Sequence, residues 1–431
     1  MVMYITWLNP MQIYANLRLL KGFVMNNYMN ETTVVILTLL SGLLVIYHHI
    51  GYPWILTLLT KKQQINNQQT SAQQTDQRQY TESVADEQLA SIAIVIPAFN
   101  EAQWIAEKIR NLAALDYPSS HLRVIIGCDG CTDQTFALAM TTANEPECKH
   151  LNINIIEFKK NRGKVAVLNE LLAQIDCELV ALTDTSALIS IDALLIASKR
   201  FNDPEIGVLN GHYRVIAPGS EGEQAYWDYQ CQIKMSEAVL GATLGAHGAF
   251  YMFRNALFEP LAADTINDDF ILPMKIVAAG YRADYENAIN ALELETADSS
   301  QDQQRRRRIA AGNFQQLLRL KTLLSPRYKG VAFAFISGKA LRVLMPFLMI
   351  LALLGSLLLA TNSTVFMLLA MLQMIAYSLA AWQLCFQSQQ TNKVVKLLAY
   401  LVGGHVAGLI GTLRYILRLD KGHWTKANNQ K

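Results

Sequence analysis

Ile92-Ala93-Ile94-Val95-Ile96-Pro97-Ala98-Phe99-Asn100-Glu101 is an unbroken apolar run that stops at a proline and turns polar. A run of this length closed by a turn signal reads as a buried strand. The next hundred residues decide the sheet it belongs to. Amphipathic stretches at 101–115, 133–143, 164–175 and 191–201 read as helices, and short apolar runs at 124–128, 153–157 and 179–183 read as strands between them. Strands separated by helices of ten to fifteen residues predict an α/β domain with a mainly parallel sheet and helices on both faces. Ligands of such sheets sit beyond the carboxyl ends of the strands, and the polar residues of this chain collect there.

Upstream of that domain, residues 63–88 are rich in Gln, Asn, Ser and Thr and hold almost no large apolar residue, so they cannot form a core. Four apolar stretches are long enough to cross a membrane: 33–59, 343–360, 365–386 and 394–417. The chain therefore divides into an N-terminal segment (1–32), a span (33–60), a polar linker (61–88), the α/β domain (89–320), an interfacial segment (321–342), a membrane region of two or three spans (343–418) and a tail (419–431). Lys61 and Lys62 after the first span, with Lys393 and Lys396 before the last, predict that the domain faces the cytosol at the inner membrane. A third C-terminal span would put Arg418, Lys421 and Lys426 outside, against that tendency, so two spans plus a surface or re-entrant helix is the rival. A cleaved signal peptide is not expected, because the first span is long and lies some 30 residues in.

With 431 residues, 52% hydrophobic and only 17% charged, the chain is too apolar for an ordinary soluble enzyme. Its formal charge of +2 gives no sign of a nucleic-acid partner, and none is expected. The six cysteines show no even framework, which predicts reduced thiols. Cys128-Asp129-Gly130-Cys131 has CxxC spacing, but no second pair stands at zinc-ligand distance. A transporter is disfavoured, because the apolar stretches hold no acidic residue.

The strand ends carry the chemistry. Pro97, Asn100 and Glu101 close the first strand, where they are placed to contact a ribose or base. Asp129 follows the second on a Gly turn, and its carboxylate can bond the imide N–H of a pyrimidine. Thr132 or Asp133 reads as a helix cap. Asn161-Arg162-Gly163-Lys164 opens a helix, which suits either a phosphate or a solvated basic turn. Asp184 ends the fourth strand, where Mg2+ or Mn2+ takes a carboxylate together with donor phosphate oxygens. Farther on, Asp268 and Asp269 form an acid pair able to take a hydroxyl proton. The run Arg305-Arg306-Arg307-Arg308 suits a departing diphosphate or an anionic lipid surface.

In order and spacing, residues 92–101, 129–135 and 161–169, Asp184, Asp268-Asp269 and the Arg cluster resemble the family 2 glycosyltransferases. The likeness is to the membrane-bound branch with cellulose, hyaluronan and poly-N-acetylglucosamine synthases, and covers about residues 90–345. The resemblance implies a GT-A nucleotide-binding fold and inverting transfer of a sugar from a nucleotide-diphosphate donor, usually UDP-linked, to a saccharide or lipid-linked acceptor. It assigns base binding to Asp129, a donor contact to Lys164, the metal motif to Asp184 with Ser186 in its second position, and the catalytic base to Asp269. Arg308 takes the motif arginine after that base. The segments holding Trp227, His247 and Gly248 would line the acceptor site. Membrane lipid and further proteins of polysaccharide synthesis are implied as partners. Arg305 and Ile309 stand where the polymer synthases have Gln and Trp, which makes single addition to a polyprenyl phosphate the alternative to chain growth. A non-catalytic nucleotide-binding subunit is the alternative of another class, and it would have no use for a base.

Overall fold

The computed structural model describes residues 19, 30–61, 89–216, 221–295, 299–386 and 392–419. Residues 62–88 of the expected linker at 61–88, and residues 420–431 of the tail, lie outside them.

Eight strands form one sheet. They are β1 (Ile92–Ala98), β2 (Leu122–Asp129), β3 (Ile153–Phe158), β4 (Leu179–Leu182), β5 (Ala187–Ile189), β6 (Ile206–Val215), β7 (Tyr251–Arg254) and β8 (Arg282–Glu293), in the spatial order β3-β2-β1-β4-β7-β6-β8-β5. β1 pairs in parallel with β2 and β4, and β2 with β3, as the alternation predicts. The far half is mixed: β7 runs antiparallel to β4 and β6, and β5 antiparallel to β8. β1 is buried along its whole length. Ile92, Ile94 and Ile96 face one apolar cluster and Ala93 and Val95 the other, the period-two division of a strand covered on both sides.

The helices are α1 (Glu31–Ile46), α2 (Ile105–Ala113), α3 (Thr135–Ala143), α4 (Lys164–Leu172), α5 (Ala193–Arg200), α6 (Glu221–Val239), α7 (Asp268–Ala278) and α8 (Ser299–Arg319). α2 starts four residues after the sequence pattern suggests. Asn100 adopts a left-handed backbone (φ 56°), and the chain turns once before Ile105. Asn100 Oδ1 accepts the Thr132 amide at 2.8 Å, so this bend ties the end of β1 to the end of β2.

Four helices are long and apolar enough to cross a membrane: α1 with its continuation (Glu31–Lys61), α9 (Gly330–Leu359), α10 (Thr364–Phe386) and α11, whose span is Val394–Ile416. All three C-terminal stretches are long helices. α9 begins at Gly330, so the latter part of the expected interfacial segment is its first turns. α9 packs so closely against α1 that a Cβ at Gly355 would collide with Thr38 Oγ1. α8 lies against α11, with the Phe314 and Tyr415 rings 5.8 Å apart. All six cysteines are free thiols.

Candidate active site

The ends of β1, β2 and β4 bring the first group of side chains together. Asp129, at the end of β2, is fully buried and accepts the Arg162 amide at 3.0 Å and the Gly163 amide at 2.8 Å. Its carboxylate therefore fixes the turn that opens α4. Gly130 permits that closeness: its φ is +63°, and a Cβ there would collide with Asn161 N. Asp133 accepts the Thr135 amide at 3.0 Å and the Ala102 amide at 3.1 Å, which ties the turn before α3 to the β1 bend; the N-cap position itself is held by Gln134, not by Thr132 or Asp133. Glu101 is held by its own amide, which donates to Thr135 Oγ1 at 2.7 Å. Pro97 lies within β1 opposite Gly127.

With its turn fixed, α4 projects Lys164 between acids from two distant segments. Lys164 Nζ lies 3.2 Å from Asp184 Oδ1 and 3.3 Å from Asp268 Oδ2. Burial alone would lower the pKa of this ammonium, but Asp184, Asp268 and Asp269 outweigh it and hold it above the usual lysine range. Asp269, the second residue of α7, behaves in the opposite way. Burial and the neighbouring Asp268 push its pKa up to about 6, against the pull of Lys164 and Arg308. Three carboxylates around one lysine leave one of them poised to exchange a proton near neutral pH, as a general base requires.

Asp184 also touches the segment expected to meet the acceptor. Its amide donates to Gly248 O at 3.1 Å, and a Cβ on Gly248 would fall 2.7 Å from Asp184 Oδ2. Next to Gly248, His247 stacks on Tyr213 with ring centroids 3.7 Å apart, and Trp227 stands edge-on to both rings. Aromatic faces of this kind suit a sugar ring.

α8 clamps the segment that precedes the acid pair. Gln315 bonds both Ile266 N and Asp264 O, and Arg319 reaches Thr265 Oγ1 at 2.7 Å and Asp264 at 2.6 Å. A Cβ on Gly312 would collide with Asn267 Nδ2, so α8 and the residue before the acid pair are in contact. Arg308 is exposed on α8, and its charge is felt at Asp269. The side chains of Arg305, Arg306 and Arg307 lie outside the described residues.

Among the described residues, no three His, Cys, Asp or Glu side chains form a metal cage. Asp184, with 41% of its side chain exposed, is a single accessible carboxylate. One carboxylate plus donor phosphate oxygens suits Mg2+ or Mn2+, so the residues fit a cation shared with a donor. Ser186, in the second motif position, is buried, and its carbonyl accepts the Leu294 amide at 3.0 Å.

A family model described as "Glycosyltransferase like family 2" matches residues 88–312, just over half of the chain. The chain belongs to glycosyltransferase family 2. This family 2 glycosyltransferase is similar to the poly-β-1,6-N-acetyl-D-glucosamine synthases of Staphylococcus aureus, at 26% identity over 208 residues, and of Staphylococcus epidermidis, at 24%. Each match covers 46% of the chain and 49% of the relative, so the transferase spans about half the length of the curated relatives it matches. A mannosyltransferase from Pyrobaculum calidifontis, solved with GDP-Man and Mn2+, superposes with a TM-score of 0.62 at 22% identity, covering 86% of this chain and 99% of that one. That likeness establishes the GT-A-like fold of the transferase.

Several residues escaped the sequence reading. Lys108 is fully buried behind Asp184, where its Nζ donates to Thr183 Oγ1 at 2.7 Å and to the Ala187 carbonyl. Burial draws its pKa down to about 7, against Asp184 and Glu293. The signal was a lysine on the apolar face of α2 beside Ile105, Ile109 and Leu112. Tyr251 has a buried hydroxyl with no hydrogen-bond partner among the described residues, within electrostatic reach of Asp268, Asp269 and Asp184. Nothing in its apolar strand marked it.

Proposed function

We propose that this glycosyltransferase moves a sugar from a nucleotide-diphosphate donor, UDP-linked, to a hydroxyl of a saccharide or lipid-linked acceptor, with inversion, at the cytosolic membrane face. The process it serves is cell-surface or exopolysaccharide synthesis. The observation that carries this reading is the cluster in which Lys164 joins Asp184 and Asp268 while Asp269, one residue on, has its pKa raised to about 6. The similarity to poly-β-1,6-N-acetyl-D-glucosamine synthases supports a UDP-sugar, and the basic residues flanking the first and last spans support the orientation.

Asp269 takes the proton of the acceptor hydroxyl. That oxygen bonds the anomeric carbon as the bond to the donor diphosphate breaks, and the electron pair leaves on the diphosphate. Lys164 and Arg308 meet the charge growing there. Mg2+ or Mn2+ held by Asp184 would supply further neutralisation of the diphosphate. The Asp129 carboxylate keeps the 161–163 turn in place beside the nucleotide, with Asn100 and Glu101 at its base and ribose end. Trp227, His247 and Gly248 border the acceptor.

The test is to incubate membranes holding the full chain with a panel of radiolabelled nucleotide sugars and to size the products. Transfer from a UDP-sugar that stops in Asp269→Asn is expected. No turnover of any nucleotide sugar, or equal turnover in that variant, would overturn the assignment.

A further inference from the structure

Glu237 lies near the C-terminal end of α6, is 4% exposed, and joins two parts of the chain that the transfer step leaves unconnected. A buried carboxylate is tolerated where donors meet both of its oxygens. One donor comes from the first membrane helix: the Tyr52 hydroxyl reaches Oε1 at 3.0 Å. The other comes from the loop after α6, whose Leu244 amide reaches Oε2 at 3.0 Å. That loop also holds the proposed base. One turn before Glu237 on α6, Lys234 Nζ donates to the carbonyls of Leu244 at 3.2 Å and Gly245 at 2.9 Å, so one helix face grips the loop by its amide and its carbonyls. Gly245 adopts a φ of +72°, and a Cβ there would collide with the Phe270 ring. The next amide, that of Ala246, donates to the Asp269 carbonyl at 2.8 Å. Glu237 thus fixes Leu244, and two residues on Ala246 fixes the peptide of Asp269.

Tyr52 is itself placed by close packing and is buried. A Cβ on Gly338 of α9 would fall 3.1 Å from its hydroxyl, and its ring centroid lies 5.8 Å from that of Phe333. Gly338 belongs to a π-helical turn (Phe335–Ala340), and the first membrane helix carries a second one (Tyr47–Gly51) against it. Such turns inside α-helices are frequent at functional sites. Here the Tyr47 hydroxyl meets Ser337 Oγ at 2.7 Å and His48 Nδ1 meets the Ser337 carbonyl at 2.8 Å, which seats the two helices on each other. Tyr52, one turn farther along, passes that contact and reaches into the catalytic domain.

We propose that Glu237 is a positioning residue, which passes the seating of the first membrane helix, through Tyr52, to the 244–246 loop and so to the backbone of Asp269. With Tyr52 in place, the loop holds the first turn of α7 where Asp269 faces the acceptor. Without it, the loop and that turn loosen, while the 162–163 turn keeps its own bonds to Asp129 and donor binding persists. A carboxylate suits the role because its two acceptor oxygens take two donors, whereas the amide of Gln offers one acceptor. Glu237→Gln can keep the Tyr52 bond or the Leu244 bond, but not both. This rests on the reading of Asp269 as the base and adds what sets its geometry.

The experiment uses the full chain in phosphatidylcholine nanodiscs and reads amide hydrogen exchange, UDP affinity and transfer from the UDP-sugar active in the nucleotide-sugar panel. Tyr52→Phe removes one hydroxyl and no charge. It should speed exchange at residues 243–249 and 266–271 by on the order of tenfold and leave 126–133 and 162–165 unchanged. Its kcat should fall by up to about a hundredfold with UDP affinity kept. The charges facing Asp269, those of Asp268, Lys164, Asp184, Arg308, Lys234 and Lys339, are the same in this variant. The break in kcat/KM near pH 6 should therefore move down solely because Asp269 gains water. Glu237→Gln should loosen the same segments; if it loses UDP binding, Tyr52→Phe decides. Tyr47→Phe is the control, since its hydroxyl meets Ser337 of α9, and it should leave 243–249 unchanged. Unchanged exchange at 243–249 in Tyr52→Phe overturns the inference. Equal loosening in Tyr47→Phe overturns the route through Glu237 in favour of general helix docking. Exchange rising throughout the domain, with the pH break unmoved, shows a merely structural role and overturns it too. Full turnover in Tyr52→Phe beside an inactive Asp269→Asn overturns this inference alone, whereas full turnover in Asp269→Asn overturns the base assignment beneath it.

Discussion

The proposed donor half and the proposed acceptor half of the site are built in different ways. On the proposed donor side, Asp129, Lys164 and Asp184 each sit at the end of a strand or the start of the helix after it: two backbone amides hold the Asp129 carboxylate, the Asp184 amide donates to the Gly248 carbonyl, and Lys164 is held by Asp184 and Asp268. On the proposed acceptor side, Trp227, His247 and Asp269 come from α6, a loop and α7, and only tertiary contacts unite them. Strand ends of an open α/β sheet form a site wherever the sheet forms. The acceptor half depends on α8 holding residues 264–267 while itself resting on the membrane helix α11. Substitutions on the donor side should therefore change binding, and those on the acceptor side should change turnover with binding intact.

The largest expected effect is that of Asp269→Asn, which should lower transfer by about a hundred to ten thousand fold with nucleotide affinity unchanged in titration. A parallel loss of affinity would break the division between the halves. Lys164→Met should act the other way, weakening nucleotide binding by on the order of tenfold or more through loss of a charge-assisted contact. It also leaves Asp184 and Asp268 without their shared cation. Gly312→Ala forces α8 off Asn267, an overpacking change that typically costs about 1–3 kcal/mol. Thermal denaturation should report that loss, and turnover should fall more than donor affinity.

The smallest effect concerns stability and fixes its sign. Asp269 has its pKa raised from 3.8 to about 6 by folding. The protonated form is thus favoured by the native state, and this contribution is complete below about pH 3.8 and lost as pH rises through about 6. Asp269→Asn should accordingly raise the melting temperature above pH 6 and leave it nearly unchanged below pH 4. The opposite sign would mean that the carboxylate is stabilised in its charged form.

The same contrast explains how far the sequence could be read. The strand-helix alternation predicts β1 to β4 and the helices between them, because each strand there is a short apolar run with its own turn signal. β6, β7 and β8 carry no such rhythm. Their mixed pairing depends on partners distant in the chain, such as Leu182 opposite Tyr251. Asp129 stands out in the sequence as a candidate site residue, yet only the structure shows that its carboxylate binds the 162–163 amides. Lys108 and Tyr251 are invisible for a common reason. Each is a polar group embedded in an apolar pattern, and its meaning comes from what approaches it in three dimensions. The GT-A-like fold and the four long apolar helices were expected from the sequence and are present.

The pH dependence of kcat/KM for transfer, compared between wild type and Asp268→Asn, tests the central claim most directly. Asp269 must be ionised to act as the base, and Asp268 is the neighbouring charge that raises its pKa. The wild-type profile should fall about tenfold per pH unit below about 6, and the break should move to lower pH in Asp268→Asn. A wild-type profile that is flat from pH 5 to 8, or a break that does not move in the variant, would contradict Asp269 as the base.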